Sequence, residues 1–289
     1  MAGFRSVKKY AEAWDAGRSF TGHFRKSFTA TAPGWNDYST HGGGPPANYY
    51  ASDPLTAATL TGSRGFYHGE DKAPAAKYLT RLSYVSNSGA IQYTMHLCDY
   101  LLYYPFVDCD DTVAQEMTNT VTLPRYTDGE GVMVVAVSHT AHTPSGSGAF
   151  VFEYVNQDGD TKTSPTNLCS TSTASPITAG SLIRSCALVG ANYGPWCDLA
   201  NGDRGVRQIN SVTFTVGNGG LAAFVLVKPL ATLIVREANV QTEIEMVTTG
   251  NPPKRIYDGA YLNFIGSAAT ALTSSVASGT LDFIWDEGT

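Results

Sequence analysis

Hydrophobic positions recur at helical spacing most clearly near the start of the chain. Four apolar residues follow one another at intervals of three or four, with charged residues between them: Phe4, Val7, Ala11 and Trp14. This period is typical of an amphipathic helix, and Gly17 is a stop signal of the kind that ends helices. The pattern predicts a short helix over residues 4–18.

Three phenylalanines follow at intervals of four residues. Phe20, Phe24 and Phe28 would lie on one face of a strand, and roughly on one face of a short helix. A segment with so many aromatic residues needs a surface to pack against. Two interpretations stay open: the phenylalanines pack in the chain's own core, or they pack on a neighbouring subunit.

Residues 31–75 are rich in Gly and Pro, which interrupt every hydrophobic pattern. Only a short helix near residues 55–60 fits between these breaks. Large aromatic residues are interspersed, as interfaces favour: Trp35, Tyr38, Tyr49, Tyr50, Phe66 and Tyr67. A long irregular segment is uncommon in a compact monomer, so we expect an extended arm that a partner orders.

From residue 78 onward, short apolar runs and turn signals predict strands. The run at 132–137 is fit for a strand buried on both faces, and Asp158-Gly159 predicts a hairpin. A second hairpin is predicted around residues 217–220, and small polar residues predict loops at 138–148, 170–181 and 267–280. The remaining predicted strands lie near residues 91–107, 233–235, 244–247, 261–265 and 281–285.

Together these patterns predict a mainly β protein. The body, residues 76–289, is expected to be a β-sandwich or jelly-roll-like structure, because many short strands alternate with short turns. Residues 1–75 are expected to form an N-terminal region that contains a short helix and an extended arm.

The composition of the 289-residue chain favours assembly and not nucleic-acid binding. Apolar residues make up 43%, whereas charged residues make up only 15%, below the roughly 25% of soluble domains. The net charge is −6, yet residues 1–30 hold six Lys or Arg and two acidic residues, a net of +4 that leaves −10 elsewhere. The basic segment predicts docking on an acidic protein surface or on phosphates, or else a solvated helix face.

The cysteines predict a reducing environment. Their number is five, which is odd, and they are widely spaced, which argues against a disulfide framework. No stretch reaches the roughly 18 apolar residues that a membrane helix needs, and the first residues have no secretory pattern. We therefore expect the protein to be made and kept in a reducing cytosol, with no membrane partner.

Motifs for catalysis or metal binding are weak throughout. His139 and His142 form an H-x-x-H without the Glu or Cys partners of zinc sites. In residues 96–99, His96 and Cys98 should share one strand face and Asp99 the other. The acidic residues at 108–111 lack calcium-loop spacing. No nucleophile elbow or phosphate-binding loop occurs. We expect no enzyme activity, no cofactor and no metal.

Four blocks resemble virion structural proteins of tailed bacteriophages, especially short-tailed ones. The blocks are residues 4–19 (FRSVKKYAEAWDAGRS), 98–108 (CDYLLYYPFVD), 121–132 (VTLPRYTDGEGV) and 258–266 (DGAYLNFIG). Their order, and the arm-then-β layout, extend the likeness over most of the chain. The resemblance implies a capsid decoration or cement protein. A major capsid protein would need a long spine helix, and no helical pattern here exceeds about four turns.

The hypothesis from sequence is a homotrimeric cement protein whose N-terminal region binds the major capsid protein on the outside of a virion. The residues expected to anchor it are Phe4, Val7, Trp14, Phe20, Phe24 and Phe28. One alternative is a tail, collar or head-fibre component that contacts the host surface. Another is a particle-borne carbohydrate-active enzyme, since paired carboxylates can be remote in sequence.

Overall fold

The computed structural model describes residues 4, 6–30, 34–87, 93–142, 148–169, 179–184, 194–217, 219–247, 252–268 and 272–286. Three antiparallel sheets account for most of these residues, and one short helix precedes them. The predicted fold class, mainly β with a β-sandwich-like body, is confirmed.

The helix α1 spans Val7–Asp15 and is shorter at both ends than predicted. It begins where the Ser6 hydroxyl accepts a hydrogen bond from the Lys9 amide at 3.3 Å, a common cap for the free amides of a first turn. It ends before Gly17, whose φ of +69° lies in the left-handed region that favours glycine.

The first sheet contains the strand that follows the helix. Its strands, in spatial order, are β14 (Thr242–Glu245), β5 (Ala76–Ser86), β17 (Leu272–Asp286), β1 (Ser19–Ala30) and β3 (Gly43–Gly44), and β15 (Lys254–Ile256) also pairs with β5. β1 pairs with β17 from Ser19 opposite Ile284 to Ala30 opposite Leu272. β1 is therefore an interior strand of this sheet.

The central sheet is built on two long strands. Its spatial order is β2 (Gly34–Asp37), β16 (Tyr261–Ala268), β6 (Tyr93–Asp108), β13 (Leu221–Val235) and β8 (Met133–Ser138), with β4 (Ala58–Thr59) paired to β6. The predicted strand at 132–137 is confirmed as β8, which is buried at five of its six positions.

The third sheet lies at the other end of these long strands. It consists of β10 (Thr161–Thr163), β9 (Ala149–Asn156), β12 (Val206–Val216) and β7 (Gln115–Glu116), and β11 (Asn167–Leu168) pairs with β9. The predicted hairpin at Asp158-Gly159 joins β9 to β10, as expected. The Asn156 side chain stabilises the turn by accepting from the amides of Asp158 and Asp160.

The central sheet takes part in two hydrophobic cores. Met95 and Leu97 of β6 pack into a core with the first sheet, while Leu101 and Tyr104 pack into a second core with the third sheet. The opposite face of the central sheet forms a smaller cluster with Tyr50 and Leu60 of the irregular segment. One sheet therefore links two sandwich-like halves.

The predicted hairpin at 217–220 is wrong. β12 pairs with β9 and β7, whereas β13 pairs with β6 and β8, so the segment crosses from one sheet to the facing one. Phe214 and Phe224, on either side of the crossing, meet in the second core. Val212 and Phe214 of β12 are buried, but a local pattern of apolar residues does not specify the partner strand.

Two further local predictions are corrected. The helix expected near residues 55–60 is replaced by β4, whose residues pair with Tyr103 and Leu102. Most of the loop expected at 267–280 belongs to β17, which is paired on both sides by β1 and β5. Its small residues permit this close packing: a Cβ at Gly279 would collide with the Ser83 carbonyl oxygen. The loop predicted at 170–181 lies mostly outside the described residues.

Candidate functional site

Two of the predicted assembly anchors lie in the chain's own core. Phe24 and Phe28 on β1 are 4% and 2% exposed. The Phe24 ring lies 4.7 Å from that of Phe66 and 5.2 Å from that of Phe264. The expectation that both contact another subunit is wrong. Their spacing of four places them on the inner face of β1, because β1 is paired within the first sheet.

Phe20 belongs to the same body. It is partly buried against the first core, and its ring packs on those of Phe283 and Tyr67 at 6.4 and 5.3 Å. The extended part of the predicted arm that contains these phenylalanines is therefore a strand of the body. Of the predicted anchors, only Phe4, Val7 and Trp14 remain as candidates.

The apolar stripe of α1 faces away from the body. Val7, Ala11 and Trp14 recur at i, i+4 and i+7 and so share one helix face. All three are exposed, Val7 at 77% and Trp14 at 40%. We call these three residues the helix patch. A fully folded chain thus presents an apolar surface of the kind that marks interaction sites.

Contacts between α1 and the body are few. Ala13, a residue of the helix, is buried. The Phe4 ring packs edge-on against the Tyr78 ring, with 5.9 Å between the ring centroids. Just after the helix, the Trp285 amide donates to the Arg18 carbonyl oxygen at 3.1 Å. These contacts hold the helix against the body while leaving the helix patch outside.

Several ionisable groups that could support chemistry are buried in the described part of the chain, and a first cluster surrounds Asp37. This carboxylate accepts hydrogen bonds from the hydroxyls of Tyr50 (2.5 Å), Tyr100 (2.7 Å) and Ser39 (2.7 Å), and from the Ser39 amide (2.8 Å). Burial raises the pKa of Asp37, and the four hydrogen bonds oppose this shift. The cluster connects β2, the irregular segment and β6.

The second cluster joins Lys77 of β5 to the loop before it. The Lys77 ammonium donates to His68 Nδ1 at 2.8 Å and to the carbonyl oxygens of His68 and Glu70. His68 Nε2 lies 3.1 Å from the Ala260 carbonyl oxygen. Burial lowers the pKa of Lys77 to about 8 and that of His68 to about 4. A neutral His68 therefore accepts from a charged Lys77 at neutral pH.

The third cluster is an ion pair between the two main cores. Arg125 donates to both carboxylate oxygens of Asp99, at 2.9 and 2.7 Å, and both residues are at most 5% exposed. Arg125 also donates to the carbonyl oxygen of Tyr100, and Asp99 accepts from the Tyr261 amide. Such pairs need every remaining polar atom to be satisfied, and this one fixes a loop to the central sheet.

The carboxylates of Asp37 and Asp99 accept hydrogen bonds from residues remote in sequence, whereas the Lys77 ammonium binds groups seven and nine positions before it. Asp37 and Tyr100 are 63 positions apart, for example. Sequence patterns did not find them, because isolated Asp, Tyr and Lys residues give no local signal. Their geometry indicates a structural role in which loops are fixed to sheets.

Side chains of the motifs from the sequence analysis contact other residues of the folded chain. The His96 ring stacks on that of Trp35 and packs at a tilt on that of Trp196, at 5.2 Å from each, on the face that Cys98 shares, as expected. His139 packs on Phe106. In the acidic turn, Asp108 and Asp110 accept from backbone amides.

Metal and thiol chemistry can be judged for the described residues. Within them, no group of three His, Cys, Asp or Glu side chains is placed to hold a metal ion. Cys98, Cys109, Cys169 and Cys197 are buried free thiols. Burial raises the pKa of each of these thiols, which makes them poor nucleophiles.

No protein-family model, curated protein or solved structure matches this chain. The resemblance to phage virion proteins therefore stays a prediction from its four sequence blocks. In the part of the chain that the structure describes, no helix has the length and apolar character needed to cross a membrane.

Proposed function

We propose that the chain is a non-enzymatic structural protein of a tailed-phage particle, which binds the outer face of the capsid through α1. The observation that carries this proposal is the outward-facing helix patch. Its side chains are apolar, and the folded body leaves them uncovered. Residues 4–19 also form one of the four blocks that resemble phage virion proteins, which supports the choice of this segment.

The body suits a mechanical role. Two hydrophobic cores share the central sheet, and the buried ionisable clusters fix the intervening loops. A rigid body of this kind transmits load between contact points, which is the work proposed for a cement protein. The proposal needs no catalytic group and no cofactor.

A single helix patch supports only weak binding. Burying the side chains of Val7 and Trp14 would each contribute on the order of 2 kcal/mol, before the costs of association. A homotrimer would present three patches at once, and linked contacts raise the overall affinity far above that of one. Trimerisation is therefore part of the proposal.

Substitutions in the helix patch test the proposed contact. Val7→Ser and Trp14→Ala should each reduce binding to purified undecorated capsids by roughly tenfold, measured by co-sedimentation. Val113→Ser and Tyr257→Ala are matched controls, because these residues are 70% and 38% exposed, close to Val7 and Trp14. Equal occupancy for all four variants would exclude the helix patch as the contact.

Copy number separates this role from that of a tail, collar or head-fibre component. A cement protein occupies many equivalent positions on the shell, whereas those components occupy few. Quantitative gel analysis of purified particles should give a number close to that of the repeated capsid positions. A few copies per particle would contradict the proposal.

A further inference from the structure

A polar pocket with aromatic walls opens beside the Asp37 cluster. Its volume is about 330 Å³, at the low end of the roughly 300–1,000 Å³ of small-molecule sites. It is lined by Asn48, Tyr49, Ala51, Thr59, Leu60, Thr61, Arg64, Tyr103 and Tyr261. We call it the Tyr49 pocket.

Backbone hydrogen bonds fix the walls of the Tyr49 pocket. The Asn48 amide donates to the Ser39 carbonyl oxygen, and the Leu60 amide donates to that of Leu101 on β6. The Gly62 amide donates to the carbonyl oxygen of Gly259, at the approach to β16. The irregular segment is thus held in one conformation by the central sheet, and a ligand would meet a pre-formed site.

The Asp37 cluster determines how Tyr49 is presented. Tyr50 has a φ of +46°, an uncommon conformation for a residue with a side chain. Its hydroxyl is held by Asp37 at 2.5 Å, which turns Tyr50 inward. The neighbouring Tyr49 remains 66% exposed at the pocket, so a flat ring is available for stacking.

The polar groups of the pocket define its chemistry. Asn48 is 8% exposed, and its side-chain Nδ2 has no hydrogen-bond partner among the described residues, a costly state that a ligand oxygen would relieve. Thr59 and Thr61 are exposed and supply hydroxyls. Among the described residues of the lining, Arg64 alone is charged, and its guanidinium suits a carboxylate.

The geometry points to a binding site for one ring of an acidic saccharide, a hexuronic acid. The apolar face of the sugar would stack on Tyr49, its hydroxyls would bond to Asn48 and the threonines, and its carboxylate would pair with Arg64. A neutral sugar has no carboxylate to pair with Arg64, and a phosphate ion has no apolar face to stack on Tyr49. A particle with this site on its surface would bind acidic polysaccharide.

Titration of the full chain with three probes tests the inference. Binding of D-glucuronate, D-glucose and inorganic phosphate is measured by saturation-transfer NMR and calorimetry. D-glucuronate should bind about tenfold more tightly than D-glucose, since only the former pairs with Arg64, and phosphate should not compete. Absence of saturation by either sugar at millimolar concentration would overturn the inference, as would equal competition by phosphate.

Two pocket variants and a control complete the test. Tyr49→Ala should weaken both sugars by about tenfold, whereas Arg64→Gln should weaken D-glucuronate alone, to the level of D-glucose. Tyr67→Ala is the matched control, because Tyr67 is 55% exposed and lies outside the pocket lining. Unchanged sugar affinity in Tyr49→Ala would refute the stacking role. Neither variant touches the helix patch, so this inference and the proposed function fail separately.

Discussion

The helix α1 and the strand β1 follow one another in the N-terminal region, yet their aromatic and apolar residues have opposite fates. On β1, Phe24 and Phe28 are almost completely buried, whereas on α1 the helix patch is exposed. Both segments contain basic side chains and carry regularly spaced large residues. Their sequences alone would assign them the same role.

The difference comes from backbone pairing. β1 is hydrogen-bonded along its length to β17, which holds its inner face against the first core. α1 satisfies its own backbone and needs no neighbour for that purpose. It can therefore turn its apolar stripe outward, where another protein can cover it. Regular spacing predicts a common face, but the hydrogen-bonded neighbours decide whether that face is core or surface.

The largest expected effect is on the free energy of unfolding, which should depend strongly on β1 and only weakly on α1. Phe24→Ala should lower the free energy of unfolding by about 4 kcal/mol, because it removes a ring packed on Phe66 and Phe264 and leaves a cavity. Trp14→Ala should lower it by only about 0.5 kcal/mol, since that side chain is a surface residue. Urea denaturation measures both values.

A conservative variant controls for the shape of the cavity. Phe24→Leu keeps much of the volume and should cost about 1.5 kcal/mol. Similar losses for Phe24→Ala and Trp14→Ala would mean that α1 is as much a part of the core as β1, and the comparison would be wrong.

A second prediction uses pH, because the body contains buried histidines and α1 contains none. Burial, and then the Lys77 charge, lower the pKa of His68 from 6.5 to about 4. Between these values the unfolded chain binds a proton that the folded chain does not. Stability should therefore fall as the pH drops from 6.5 to 4, by about 3 kcal/mol from this residue.

The contribution of His68 is isolated by comparison with a variant. The raised pKa values of Asp37 and Asp99 act in the opposite direction as the pH falls, so the net slope combines several groups. His68→Gln should flatten the loss of stability between pH 6.5 and 4 relative to the unmodified chain. His23→Gln, at an exposed position of β1, should leave it unchanged. Parallel curves for all three proteins would contradict the assignment.

Local patterns predicted the elements of the fold better than their partners. β8 and the hairpin of β9 and β10 were predicted because alternation and turn residues are local signals. The crossing from β12 to β13 was not predicted, because a Gly-rich turn can connect the two strands of a hairpin or two strands of different sheets. β17 was missed in part because its small residues look like a loop until their two neighbouring strands are known.

The candidate sites depended still more on distant contacts. The stripe of α1 was predicted from spacing, but its outward direction was not. The Tyr49 pocket went unrecognised, because its walls come from residues 48–64, 103 and 261, which only the central sheet brings together. The one local signal was the density of tyrosine in the irregular segment, where Tyr49 and Tyr50 are adjacent and point in different directions.

The smallest effect should arise at the start of α1, and it tests whether the helix acts independently of β1. Ser6→Ala removes the hydroxyl that accepts from the Lys9 amide and should cost the helix about 1 kcal/mol. Because few contacts join α1 to the body, this loss should increase hydrogen exchange of the α1 amides and weaken capsid binding, while the urea midpoint of the body stays the same. Ser6→Asp restores an acceptor at the cap and should return exchange to the original rate. If Ser6→Ala instead lowered the stability of the whole body, the helix and the strand would form one cooperative unit, and the independence that the proposed capsid contact requires would be lost.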